Sequence, residues 1–128
     1  MRSPPAAFVV LLALASSDRA SASTPQDRQL AHCIAALNAG AVVARSAGNL
    51  RGELQLRLRA FFEVSRLPDV KAIETAKAES LAFTREHVLP NTKEGGRILR
   101  DCLRAEDADP RYHRFIADAL RQADAQAR

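Results

Sequence analysis

"GELQLRLRAFF", Gly52 to Phe62, can be read in two ways, and the choice decides the fold. Leu54, Leu56 and Leu58 alternate with Gln55 and Arg57, the pattern of a half-buried strand. The helical template accounts for a longer segment. Leu50, Leu54, Leu58, Phe61 and Ser65 fall on one helical face, and Phe62 flanks it. Composition agrees: Leu, Gln, Arg, Glu and Ala favour helices, and β-branched residues are nearly absent. The segment Leu50 to Ser65 is therefore predicted as a helix that buries its Leu50–Leu54–Leu58–Phe61 face. Leu56 then falls about 160° from Leu54, among Arg59, Ala60 and Glu63. It is expected to be either an isolated exposed leucine or part of a second contact surface.

The flanking segments are helical too. "STPQD", Ser23 to Asp27, offers a capping Thr24, Pro25 at the first helical position and an acid in the first turn. Leu30, Cys33, Ile34, Leu37, Ala41 and Ala44 then make one stripe. The opposite side, His32, Ala35, Ala36, Ala39 and Val43, is also largely apolar. Ala36, Gly40 and Ala44 form a small-residue ridge at spacing four, which lets a second helix approach closely. This first helix is predicted to be central or covered by a partner. A third helix is expected from about Pro68 to Val88, with Val70, Ile73, Leu81 and Val88 roughly aligned and Lys77 in their seam. "LPNTKEGG", Leu89 to Gly96, reads as a linker. A fourth helix, about Arg97 to Ala105, places Ile98, Leu99, Cys102 and Leu103 on one side, with Arg97, Arg100 and Arg104 on the other. Asp109 and Pro110 open a fifth helix with an apolar face of Tyr112, Phe115, Ile116, Ala119, Leu120 and Ala123; its tail is expected to fray.

The fold class is thus all-α: a small antiparallel bundle of four to five helices. Cys33 and Cys102 are the only cysteines, and both lie on apolar faces. A disulfide between them would link the first and fourth helices.

Residues 1–22 are read as a cleaved signal peptide. Arg2 gives a basic start, Ala6 to Ala15 is an apolar run, and "ASA" at Ala20 to Ala22 suits a signal peptidase. Ten apolar residues span about 15 Å as helix, half of a roughly 30 Å hydrocarbon core, which argues against a membrane anchor. Residues 23–128 would form one exported domain, periplasmic or secreted, in a compartment where a disulfide persists. No later segment is apolar enough to cross a membrane.

The pI of about 9.7 does not by itself point to nucleic acid. The net charge is only +4, acids and bases are interspersed, and aromatic residues are sparse. No partner of that class is expected.

The chemistry-bearing motifs are few. No Cys-x-x-Cys-His is present, so covalent haem attachment is excluded. His113 and His87 are the candidate ligands if haem were held non-covalently, but no pair of potential ligands has helical spacing. No metal site and no cofactor are predicted. Ser46, Ser65 and Ser80 lack the base and strained turn of a hydrolytic nucleophile. Paired acids, such as Glu74 with Glu79 or Glu106 with Asp107, read as solvated helix faces. The sequence therefore predicts a non-enzymatic exported interaction module: partner-binding, inhibitor, immunity or chaperone-like. Leu56, Val43 and the Arg97–Arg100–Arg104 stripe are its candidate contacts with a protein partner or a second copy. The alternative is a carrier of an apolar small ligand or haem between the helices.

Overall fold

The structure, a computed structural model, describes residues 24–128. The expected signal peptide lies outside them. Five α-helices follow one another: α1 Pro25–Ser46, α2 Leu50–Ser65, α3 Val70–Phe83, α4 Thr92–Asp107 and α5 Pro110–Ala127. A π-helical turn, Thr84–Val88, extends α3. No strand occurs among the described residues, so the opening segment is helical from Leu50 to Ser65.

Each start is chemically marked. Thr24 Oγ1 accepts from the Asp27 N–H at 3.0 Å, ahead of Pro25. Asn49 Oδ1 accepts from Gly52, Asp69 from Ala72, Asn91 from Glu94, and Asp109 from Arg111, all at 2.8–3.0 Å. Such caps stabilise by about 1 kcal/mol each. Gly48, at φ 76°, turns the chain between α1 and α2 in a conformation that favours glycine.

Two boundaries differ from expectation. The Asn91 cap starts α4 at Thr92, so Gly95 and Gly96 are helical rather than linker. Gly95 is buried where α4 crosses the π turn: a Cβ there would stand 3.1 Å from Val88 Cγ1. The glycine serves close approach, not looseness. At the other end, α5 stays helical to Ala127 instead of fraying at Asp124.

Helix α1 is the centre. It packs on α2 most extensively, then on α3 and α4. It is buried on both sides along its middle, at Ala31, Ile34, Ala35, Ala36, Leu37 and Ala41. His32, on the side opposite the Leu30–Leu37 stripe, stacks on Phe83 of α3 with ring centroids 3.9 Å apart. The Cys33–Cys102 disulfide ties α1 to α4, with 5.8 Å between Cα atoms and 69 residues between them in sequence. Closing a loop of that size stabilises by roughly 4 kcal/mol in the chain-entropy model.

The faces of α2 and α3 are reversed relative to expectation. On α2 the inward residues are Leu56, Ala60 and Glu63, together with Phe62. Leu50, Leu54 and Phe61 are 63–69% exposed, and Leu58 is half-buried. On α3 the inward residues are Ala76, Ser80 and the half-buried Ala72 and Phe83. Val70, Ile73 and Leu81 face solvent, and of the expected stripe only Val88, in the π turn, is buried. The cause lies in α1. Six of the fourteen buried apolar residues are alanine, so helices meet over small side chains at short range. A Cβ on Gly40 would stand 3.3 Å from Leu56 Cδ1 and 3.0 Å from Leu99 Cδ2. Gly40 is thus a notch filled by one leucine from α2 and one from α4. A seam this close has room for Leu56 and Ala60, and not for a row of leucines.

Candidate functional site

Two features stand out once the helices are in place: a polar pocket against the disulfide, and the outward apolar faces.

The pocket is built around Glu63 of α2 and Glu106 of α4, whose residues are 3% and 1% exposed. Two arginines of α2 and its end hold them. Arg59 Nη1 donates to Glu106 Oε1 at 3.2 Å, and its Nη2 donates to Asp107 Oδ1 at 2.9 Å. The same guanidinium lies 4.7 Å from the centroid of the Tyr112 ring on α5. Arg66 Nη1 donates to Glu63 Oε2 at 3.3 Å and lies over the Phe62 ring. Glu106 Oε2 is buried, and the Glu106 carboxyl hydrogen-bonds to that of Glu63. Burial, reinforced by the neighbouring Glu63 carboxyl, raises the Glu106 pKa to about 8. At neutral pH Glu106 therefore carries a proton. Asp109, at the rim, is bound by Arg111 and its pKa falls to about 2. The space these residues enclose measures about 360 Å³ and reaches Leu30 and both cysteines.

Sequence reading missed Glu63 because it assigned the Leu56 side of α2 to solvent. A signal was present. Arg59, Glu63 and Arg66 recur at i, i+4 and i+7 beside Leu56 and Ala60, a charged face that is self-consistent only if it meets further acids. Glu106 was paired with the wrong neighbour: Asp107 is exposed, and Glu106 turns inward to Arg59 and Glu63.

The second feature is surface. The Leu50–Leu54–Phe61 face of α2 continues onto α5, where Phe115 lies 6.1 Å from Phe61 between ring centroids and 5.5 Å from Phe62. Beyond Phe115, α5 carries half-buried Ile116 and Ala119 and exposed Leu120, and every residue from Leu120 onward is exposed. Arg51, Arg57 and Arg114 are exposed on the same two helices.

The residues singled out from sequence fall as follows. Leu56 is half-buried against Gly40, so it does not stand out on the surface as expected. Val43 is 69% exposed near the end of α1. Arg97 and Arg104 are exposed and share Asp101, at 3.3 and 3.9 Å, while Arg100 is exposed and pairs with no acid among the described residues. His87 leans on Phe83 in the π turn, with centroids 5.0 Å apart. His113 Nε2 donates to the Asp107 carbonyl at 2.7 Å. The two histidines belong to separate elements with separate neighbours. Among the described residues no group of three His, Cys, Asp or Glu is arranged to hold a metal ion. No described helix is long and apolar enough to cross a membrane.

Compared with protein-family models, curated proteins and solved structures, the chain has no match.

Proposed function

We propose that this chain is an exported, non-enzymatic interaction module that binds a protein partner through the outer faces of α2 and α5. One observation carries the reading: Leu50, Leu54, Phe61 and Leu120 are 63–69% exposed on two helices joined by the Phe61–Phe115 contact. Contiguous exposed apolar surface on a small protein marks an interaction site. The partner this surface fits is a protein with an apolar helix face and an acidic rim, since exposed Arg51, Arg57 and Arg114 border the stripe. The Arg97–Arg100–Arg104 face of α4 offers further basic contacts. Export to the periplasm or beyond is supported by the Cys33–Cys102 disulfide and by the apolar run with its small-residue cleavage motif at the start of the sequence.

The test is native mass spectrometry of the protein purified from its own host, beside a Leu54→Glu/Phe61→Glu variant. The wild type is expected to carry a protein partner that the variant loses, with helicity and melting temperature unchanged. A wild-type protein that is only monomeric, or a complex that survives both substitutions, would overturn the proposal.

A further inference from the structure

We infer that the protein partner of the α2–α5 surface is a second copy of this chain, each copy laying the free half of its α5 along the outer row of α2 on the other. The inference rests on the reading that this surface binds a protein, and it names which one.

The fold uses only half of α5. Tyr112 is buried, and Phe115, Ile116 and Ala119 are half-buried, but from Leu120 to the end of the helix every residue is exposed. The half beyond Phe115 is still amphipathic. Ile116, Ala119, Leu120, Ala123 and Ala127 fall on one side at helical spacing, and Asp118 and Arg121 lie on the other. A lone helix of about a dozen residues is marginal in water, so this arm gains stability from a surface to lie on. The α2 of its own chain does not serve, since Leu54 and Leu120 are 69% and 63% exposed.

The outer row of α2 matches the arm in length. Both start from the Phe61–Phe115 contact. From there the row runs back to Leu50 and the arm forward to Ala127, each about 17 Å at 1.5 Å per residue. They also match in shape. The row presents the large side chains Leu50, Leu54 and Phe61, and the arm presents alanines four residues apart at 119, 123 and 127. Helix α1 receives its neighbours in the same way, with Gly40 admitting Leu56 and Leu99. Charge agrees as well. Exposed Arg51 and Arg57 flank the row on either side, and Asp124 borders the stripe of the arm. Within its own chain Asp124 meets only Arg128, in an exposed pair at 3.4 Å that contributes little, so the acid can turn to an arginine of the other copy.

Arm and row diverge from one point. A two-fold axis between them therefore places both arms on both rows at once, in an isologous contact that closes at the dimer. Equal rise along the two helices sets the register: Ala123 comes level with Leu54, both about two turns from the phenylalanine contact.

The test is sedimentation equilibrium of the disulfide-intact protein, purified alone, at up to about 100 μM, enough to populate a dimer of micromolar dissociation constant. The wild type is expected to dimerise in a concentration-dependent way. Leu54→Lys and Ala123→Glu should each weaken the dimer at least about tenfold, with helicity retained. An equimolar mixture of the two variants should associate again, because one of its two contacts is unaltered and the other sets lysine against glutamate. Leu120→Glu replaces Ala123→Glu if the latter does not fold. A wild type that stays monomeric would overturn the inference, as would a dimer indifferent to the arm substitution or a mixture that stays dissociated. A protein that is monomeric alone yet captures a host protein through Leu54 and Phe61 rejects the second copy and leaves the surface as a protein-binding face; a protein that does neither rejects both.

Discussion

The two faces of α2 use residues in the opposite way from most amphipathic helices. The inner face carries Leu56, Ala60 and Glu63; the outer face carries Leu50, Leu54 and Phe61. Burial here follows fit against the neighbour rather than apolar size. The inner face meets the alanines and the Gly40 notch of α1, where small side chains pack at short range. It also meets Glu106, which Arg59 reaches and Glu63 adjoins. The outer face has aromatic contact with α5 at one end and solvent along the rest. The contrast says that intramolecular stability and outward binding are assigned to different sides of one helix, so they can be perturbed separately.

The sharpest way to break the comparison uses adjacent phenylalanines. Phe62 is 3% exposed and packs edge-on against Tyr112, 5.4 Å between centroids, whereas Phe61 is 63% exposed. Phe62→Ala should cost about 4 kcal/mol and Phe61→Ala less than about 1 kcal/mol, measured by urea unfolding. Equal costs would erase the distinction.

The next effect concerns the buried acid and has a sign. Glu106 has its pKa raised from 4.5 in the unfolded chain to about 8 in the fold. Between these values the folded state holds more protons than the unfolded state. The contribution of Glu106 to stability is therefore complete below pH 4.5 and is lost as pH rises through about 8. Glu106→Gln mimics the protonated form at every pH. It should leave stability nearly unchanged at pH 4 and raise it at pH 8.5 relative to wild type, by on the order of 3 kcal/mol. A difference that is flat with pH would show that Glu106 titrates like a surface acid.

Leucines give a smaller version of the same contrast. Leu56→Ala should destabilise by about 2 kcal/mol, because it empties the space over Gly40, and Leu54→Ala by at most about 0.5 kcal/mol. Thermal unfolding of the two variants side by side decides it. Smallest is the Arg57–Glu53 pair on α2, at 3.0 Å with the arginine 44% exposed. Arg57→Ala should change stability by no more than about 0.5 kcal/mol, while its effect on partner binding should be larger.

How much of this was legible in the sequence follows the same division. Helix types, the Thr24 and Asp109 starts and the joining of α1 to α4 by cysteine come from local rules, in which capping groups and the 3.6-residue period act within one turn. The small-residue ridge through Gly40 was also visible. The faces of α2 and α3 were not. A periodicity argument assumes that the larger residues turn inward, and it has no knowledge of what stands opposite. Where α1 offers alanine and glycine, Leu56 is admitted and the Leu50–Leu54–Phe61 row is not. Glu63 was illegible for the same reason, since its burial depends on Glu106, forty-three residues later in the chain. Asn91 shows a smaller failure: its cap outweighed the two glycines that read as a linker.

The central claim, that α2 turns Leu54 outward and Leu56 inward, can be tested with one fluorophore because the chain contains no tryptophan. Leu54→Trp and Leu56→Trp would each be measured for emission maximum and for quenching by acrylamide. The account predicts solvent-like emission and full quenching at position 54, with protected, blue-shifted emission at position 56. A protected tryptophan at 54 beside an exposed one at 56 would contradict it, and would return α2 to the orientation its leucine pattern suggests.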